Sequence, residues 1–270
     1  MLGTTIQEKG RIIFIGDSIL DDHLYLDDKT RDLTKEVSSL GFIVDNYAVD
    51  GSKLKDLYEG IKPSKECLCS RSYKYPIGRG EKVYQMELLN NKPFTPVYDD
   101  MFNSSSYDMT PEMVVISIGG NDLRADMVKI VFGVTSFFNS VVTEQYTADY
   151  ENIIITSKEN GRKVLLTSIY LPYIGAGSMY GMFGGLANDI VEKWKEFIIM
   201  LAKKHDIPVL DLSQIFDHYN REHYGSSELR SNNITNKCIA QCINYIHNNY
   251  NGFGIYSAPK CDFAKIYVSK

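Results

Sequence analysis

No stretch of the chain stays apolar for anything near the ~20 residues that a membrane-crossing helix requires, so no membrane span is expected. Charge of one sign is not concentrated either. The 29 Lys and Arg residues stand against 34 Asp and Glu, giving a net charge of −5 with no basic block. That balance removes the usual reason to expect nucleic acid or an anionic lipid surface as partner. Cysteine is scarce: five residues, an odd number, at Cys67, Cys69, Cys238, Cys242 and Cys261. Their spacings form no paired C-x-x-C knuckles, so reduced thiols are expected rather than a disulfide framework, and neither metal nor cofactor is implied. The opening MLGTTIQEKGRII has no apolar core of a signal peptide and no Arg/Ser-rich amphipathic stretch. Its Gly does not directly follow Met, which removes a myristoylation site. A cytoplasmic location is the expectation. Internal repeats and low-complexity segments are also missing.

What the chain does have is an ordinary soluble composition, 44% apolar and 23% charged over 270 residues, enough for a sizeable core. Short Ile- and Val-rich runs at 11–16, 42–48, 112–118, 163–169 and 207–212 read as buried parallel strands. Helical spacing falls between them: 30–40 before Gly41, a short helix after Ser52, 123–158 as two pieces around Gly133, 186–204 with the single Trp194, and 232–249. Five strands alternating with helices predict an α/β fold with a five-stranded parallel sheet. A single domain over 1–270 is expected, interrupted by an excursion at 62–110 dense in Pro, Gly, Asn and Ser. The tail 250–270 shows no clear period.

The strand ends carry the chemistry. RIIFIGDS breaks off in Gly16-Asp17-Ser18, NYAVDGS turns at Gly51, and VVISIGGND ends in Gly119-Gly120-Asn121-Asp122. In a parallel sheet, ligands bind beyond the carboxyl ends of the strands, where all three turns fall. A serine nucleophile needs donors aimed at the oxyanion it creates. The Gly51 backbone N–H and the Asn121 side-chain amide are candidates for that role, with Ser18 as nucleophile. Each piece alone is also an ordinary turn: Asp-Gly is a stock turn pair, and Asn121 or Asp122 could cap a helix.

These residues resemble the SGNH, or GDSL-type, hydrolase family, through Gly16-Asp17-Ser18, Gly51 and Gly119-Gly120-Asn121-Asp122. The resemblance runs over about residues 11–250 and extends to the wording GDSILDDHLYL, NYAVDGS, IPVLDL and Cys238-Ile239-Ala240 of one branch. It implies a flavodoxin-like three-layer α/β/α sandwich and ester hydrolysis through an acyl-serine, on substrates such as lipids, acetylated sugars or acyl thioesters. The family also carries an Asp-x-x-His pair before the last helix. Here those two positions fall on Ser227 and Arg230, within SSELRSNNITNKCIA, where the branch would have Glu-Pro-Ser at Arg230-Ser231-Asn232. An Arg stays protonated and is no general base.

Within DHYNREHYG, which holds Asp217, His218 and His223, His223 is the candidate replacement base; His23 is a second. Both also read as ordinary loop residues. His205 and His247 fall at helix C-terminal ends, where a cation suits the macrodipole. Asp21, Asp22, Asp27 and Asp28 read as helix-terminal charge and solvated loop. The segment GAGSMYGMFGG lacks a phosphate-cradling spacing, and its Tyr173, Tyr180 and Phe183 could line a pocket or simply pack. Two functions follow. One is an esterase-like hydrolase acting on a small ester through Ser18. The other is a degenerate hydrolase serving as a structural or interaction subunit of an assembly, with the aromatic-rich 62–110 and 250–270 segments facing protein partners. A binding module that uses the old pocket without chemistry is a third class.

Overall fold

A computed structural model of the chain describes residues 9–22, 25–26, 28–63, 81–91, 113–124, 142–176, 178, 184–225, 231–262 and 266–269. The strands are β1 (Gly10–Gly16), β2 (Phe42–Asn46), β3 (Met113–Ser117), β4 (Lys163–Thr167), β5 (Val209–Leu210), β6 (Ile255–Ser257) and β7 (Tyr267–Ser269). They form one sheet in the order β2-β1-β3-β4-β5-β6-β7. All neighbours are parallel except the last pair, β6 and β7. The strands β1, β3 and β4 are buried almost end to end, as strands covered by helices on both faces must be.

The five expected strands are present in the flavodoxin-like order, and the sheet has two more. The tail read as lacking a period supplies β6 and β7, each of three residues. Only Tyr256 of β6 is buried, so no alternation long enough to detect exists there. Strand β5 is shorter than expected, because Asp211 accepts the Ser213 N–H at 3.0 Å and starts a helix at Leu212.

The helices are α1 (Leu33–Ser38), α2 (Asp56–Glu59), α3 (Gln85–Asn91), α4 (Glu144–Lys158), α5 (Gly184–His205), α6 (Leu212–Ile215) and α7 (Asn233–Asn248). They complete the α/β/α sandwich: α1 packs along α7, while α4 and α5 meet through Tyr146, Tyr150, Trp194 and Phe197. A reciprocal cap opens α7, with Asn232 accepting from Thr235 N–H and the Thr235 hydroxyl accepting from Asn232 N–H. Helix α4 covers the second of the two pieces expected over 123–158; the break at Gly133 lies outside the described residues. Among the described residues no helix is long and apolar enough to cross a membrane.

The excursion at 62–110 is not wholly irregular. Ile61 and Val83 form an antiparallel bridge, and α3 follows with Val83, Met86 and Leu89 buried. The remainder of that segment, including Cys67, Cys69, Tyr73, Tyr75, Phe94, Tyr98 and Phe102, lies outside the described residues. At the other edge of the frame, Arg11 on β1 and Asp45 on β2 form a buried ion pair. Burial raises the Asp45 pKa, and the Arg11 charge offsets part of the rise.

Candidate active site

The sheet order reverses at β1, since the chain leaves β1 for β2 on one side and then returns to β3 on the other. A crevice at the carboxyl ends follows from that reversal. Gly16 closes β1 with φ +146°, and a Cβ there would come within 1.8 Å of the Ser117 carbonyl oxygen. Only glycine lets β1 lie this close to β3 at its last residue. Directly after it the Asp17 N–H donates to Ser117 C=O at 3.0 Å. The Asp17 carboxylate accepts the Ile19 N–H at 3.1 Å, and its carbonyl accepts from Leu20 and Asp21. Ser18 therefore opens a helical turn held by its neighbour's side chain, and it is 2% exposed.

The β2 turn is built beside it. Val49 N–H donates to Gly16 C=O at 3.1 Å, extending the pairing past the strand. Gly51 follows at φ +84°, exposed, with open space where a Cβ would be. Its glycine is demanded by the backbone conformation alone, not by a close approach. The Asn121 side-chain amide donates to Ser52 C=O at 3.0 Å. Asp122 accepts the Leu54 N–H at 3.0 Å. Both residues tie the β3 turn to the β2 turn. Burial raises the Asp122 pKa to about 6, against the pull of the Leu54 N–H and the Lys53 charge. Burial, then the Asp122 charge, hold the Tyr146 phenol well above its usual range.

Asp21 and Asp22, expected as solvated, are both buried. Asp21 accepts the Asp50 N–H at 2.8 Å, beside Gly51, and the Tyr25 hydroxyl donates to the Asp50 carboxylate. Asp22 accepts from Leu33 N–H at 3.3 Å and from the Asn236 side-chain amide, with the Ser231 hydroxyl at 3.4 Å. Burial first, and the neighbouring Asp32 charge second, lift its pKa to about 8. Solvation was the wrong expectation because Asn236 of α7 and Ser231 just before it reach Asp22 from far along the chain. Asp28 instead caps a single helical turn at the surface, and Asp27 lies outside the described residues.

His223 ends a one-turn helix after α6 and is 7% exposed. Its Nδ1 accepts the Asp217 backbone N–H at 2.9 Å. A backbone amide can only donate, so the neutral ring carries its proton on Nε2. Burial lowers the His223 pKa, opposed by the Asp217 and Glu222 charges. The Asp217 carboxylate pairs with Lys260 at 3.3 Å. His205 closes α5 as expected, and burial lowers its pKa too. His247 packs edge-on to Phe42 at 4.8 Å between centroids. Tyr173 packs near Tyr224 at 6.0 Å, and Arg221 covers its ring. His23, Tyr180, Phe183, Ser227 and Arg230 lie outside the described residues.

One group that sequence reasoning missed lies behind the Ser18 turn. Gln85 of α3 is 0% exposed and bonds to both backbone polar groups of Gly16 and to Ser52. No local signal marks a glutamine in an irregular segment for this place.

The sequence matches no protein-family model and no curated protein. Solved structures do match. A lipase from a goat rumen metagenome superposes at a TM-score of 0.56 and 11% identity, covering 87% of this chain and 96% of the lipase. A protein assigned as an SGNH hydrolase, from Slackia heliotrinireducens, gives 0.51 at 14% identity, over 90% of this chain and 99% of that one. A variant of an acetyl xylan esterase from Geobacillus stearothermophilus gives 0.50 at 14%, over 90% and 96%. Likeness at these identities is likeness of fold, and with the β2-β1-β3-β4-β5 order and its three strand-end turns this chain has the fold of the SGNH hydrolases.

Proposed function

We propose that the chain is an esterase-type hydrolase acting on a small acyl ester through Ser18. The observation that carries the reading is the cross-bonding of three turns at one sheet edge: Gly16 to Val49, Asp17 to Ser117, and Asn121 to Ser52. In the proposed reaction the Ser18 hydroxyl oxygen attacks the ester carbonyl, and the Gly51 N–H and the second Asn121 amide hydrogen hold the oxyanion. The alcohol leaves with a proton, an acyl-serine remains, and water releases the acid. The substrate is a small ester, and the sparse cysteines without paired spacing fit a reducing setting.

His223 is not the base of this reading. A general base must point a free lone pair at the serine while its other nitrogen is held as a donor. His223 has the reverse arrangement, with its Nδ1 lone pair engaged by Asp217 N–H. That same observation, with the burial of Ser18, favours a second reading, a degenerate hydrolase acting as an interaction subunit.

Hydrolysis of short-chain p-nitrophenyl esters by the full chain, beside Ser18→Ala, tests the choice. Turnover that the alanine variant loses by about a hundredfold or more supports the hydrolase. Turnover at the same rate in both, or none above the uncatalysed rate, supports the second reading.

A further inference from the structure

The side chain of Gln85 bonds two of the three turns directly and reaches the third through Ser52. Its Oε1 accepts the Gly16 N–H at 2.7 Å, and its Nε2 donates to Gly16 C=O at 3.0 Å and to Ser52 Oγ at 3.1 Å. Both amide hydrogens are used. Gly16 lies two residues before Ser18. Ser52 follows Gly51, and the Ser52 carbonyl receives the Asn121 amide at 3.0 Å. A path of direct hydrogen bonds thus runs from Asn121 through Ser52 and Gln85 to the end of β1. All of it is buried except Asn121, which is partly exposed. The strand pairing runs beside this path: β1 meets β3 as far as Gly16 and Ser117, and the Val49 N–H continues the β2 side to the Gly16 carbonyl.

We infer that Gln85 is a positioning residue for the reaction proposed above, holding the Ser18 turn at a fixed offset from the turns that carry Gly51 and Asn121. Its catalytic meaning rests on that reading; its structural meaning does not. The segment 81–91 then supports the site and is not a separate decoration. The residue must be an amide. A carboxylate at 85 could still accept from Gly16 N–H but would set an acceptor against the Gly16 carbonyl. Only its protonated form would restore a donor. Displacement of a nucleophile by about 1 Å can cost up to about a hundredfold in rate.

The test uses the full chain with Gln85→Ala, Gln85→Glu and, as a stability control on the same helix, Leu89→Ala. Three quantities are read: the melting temperature, the rate of fluorophosphonate labelling from pH 5 to 9, and hydrogen exchange of peptides covering 14–20 and 49–54. The inference expects both Gln85 variants to label at least about tenfold more slowly and to exchange faster in both peptides. It expects Gln85→Glu to regain rate towards low pH while Gln85→Ala does not. Leu89→Ala should melt lower yet label within about twofold of wild type. Wild-type labelling rates in the Gln85 variants, or losses that merely follow melting temperature across all three, overturn it. A wild-type chain that takes no probe counts against the proposed hydrolase, and exchange then decides for Gln85 alone. Faster exchange at both peptides sustains Gln85 as the tie between the turns, and unchanged exchange removes it.

Discussion

Asp22 places a titrating carboxyl in the seam between the segment after Ser18 and helix α7. It is 1% exposed, bonded to Leu33 N–H and Asn236, near the Ser231 hydroxyl, and opposed by the carboxylates of Asp32 and Asp21. Its pKa rises from 3.8 to about 8. The folded state therefore keeps a proton that the unfolded chain releases. The contribution of this group to stability is full below about pH 4 and falls as pH rises, until the folded carboxyl itself ionises near pH 8. Each pH unit in that window removes about 1.4 kcal/mol. At pH 7 the loss sums to an upper value of roughly 4 kcal/mol; relaxation and water entry bring the expectation to about 2–4 kcal/mol. Asp22→Asn keeps an acceptor for Leu33 and carries no proton to lose. The variant should melt about 4–16 °C above wild type at pH 7, using about 2–4 °C per kcal/mol, and level with it at pH 4. Scanning calorimetry from pH 4 to 8 on both proteins measures this. Parallel curves across the window would refute the reasoning.

Other perturbations give equally definite results. Gly16→Ala forces a Cβ onto the Ser117 carbonyl at a φ that side chains avoid, and should cost more than about 3 kcal/mol by urea unfolding, or abolish soluble expression. Asp45→Ala removes the carboxylate that balances the buried Arg11 charge, which should cost about 3–5 kcal/mol, while the double replacement Arg11→Met with Asp45→Leu should cost less than the single change. His223→Asn retains an acceptor for the Asp217 N–H and should label with fluorophosphonate within about threefold of wild type. A loss of about 10²–10⁴ would identify His223 as the base after all.

The central frame could be read directly from the chain because fully buried parallel strands are apolar runs, and each stops on residues that only a tight turn needs. RIIFIG and EMVVISI announce β1 and β3, and Gly16-Asp17-Ser18 marks the turn between sheet and helix. Three-residue strands leave no such trace, so β6 and β7 are invisible without the β5 edge that recruits them. Burial of a carboxylate is equally hidden: the sequence near Asp22 is indistinguishable from a solvated acidic turn, and Asn236 closes over it only in the fold. The orientation of the His223 ring is set by a backbone N–H six residues earlier, which no spacing rule anticipates. Gln85 shows the same limit for an amide. Its partners are backbone groups at Gly16, which carry no residue-specific signal at all.

The most direct test of the account is the mass of the intact protein after exposure to a fluorophosphonate at neutral pH, followed by peptide mapping. An acylatable nucleophile beside bound oxyanion donors predicts one adduct per chain, located on Ser18 and absent from Ser18→Ala. A folded protein that gains no adduct, or gains it equally in the alanine variant, would contradict the claim that Ser18 is the working centre of this fold.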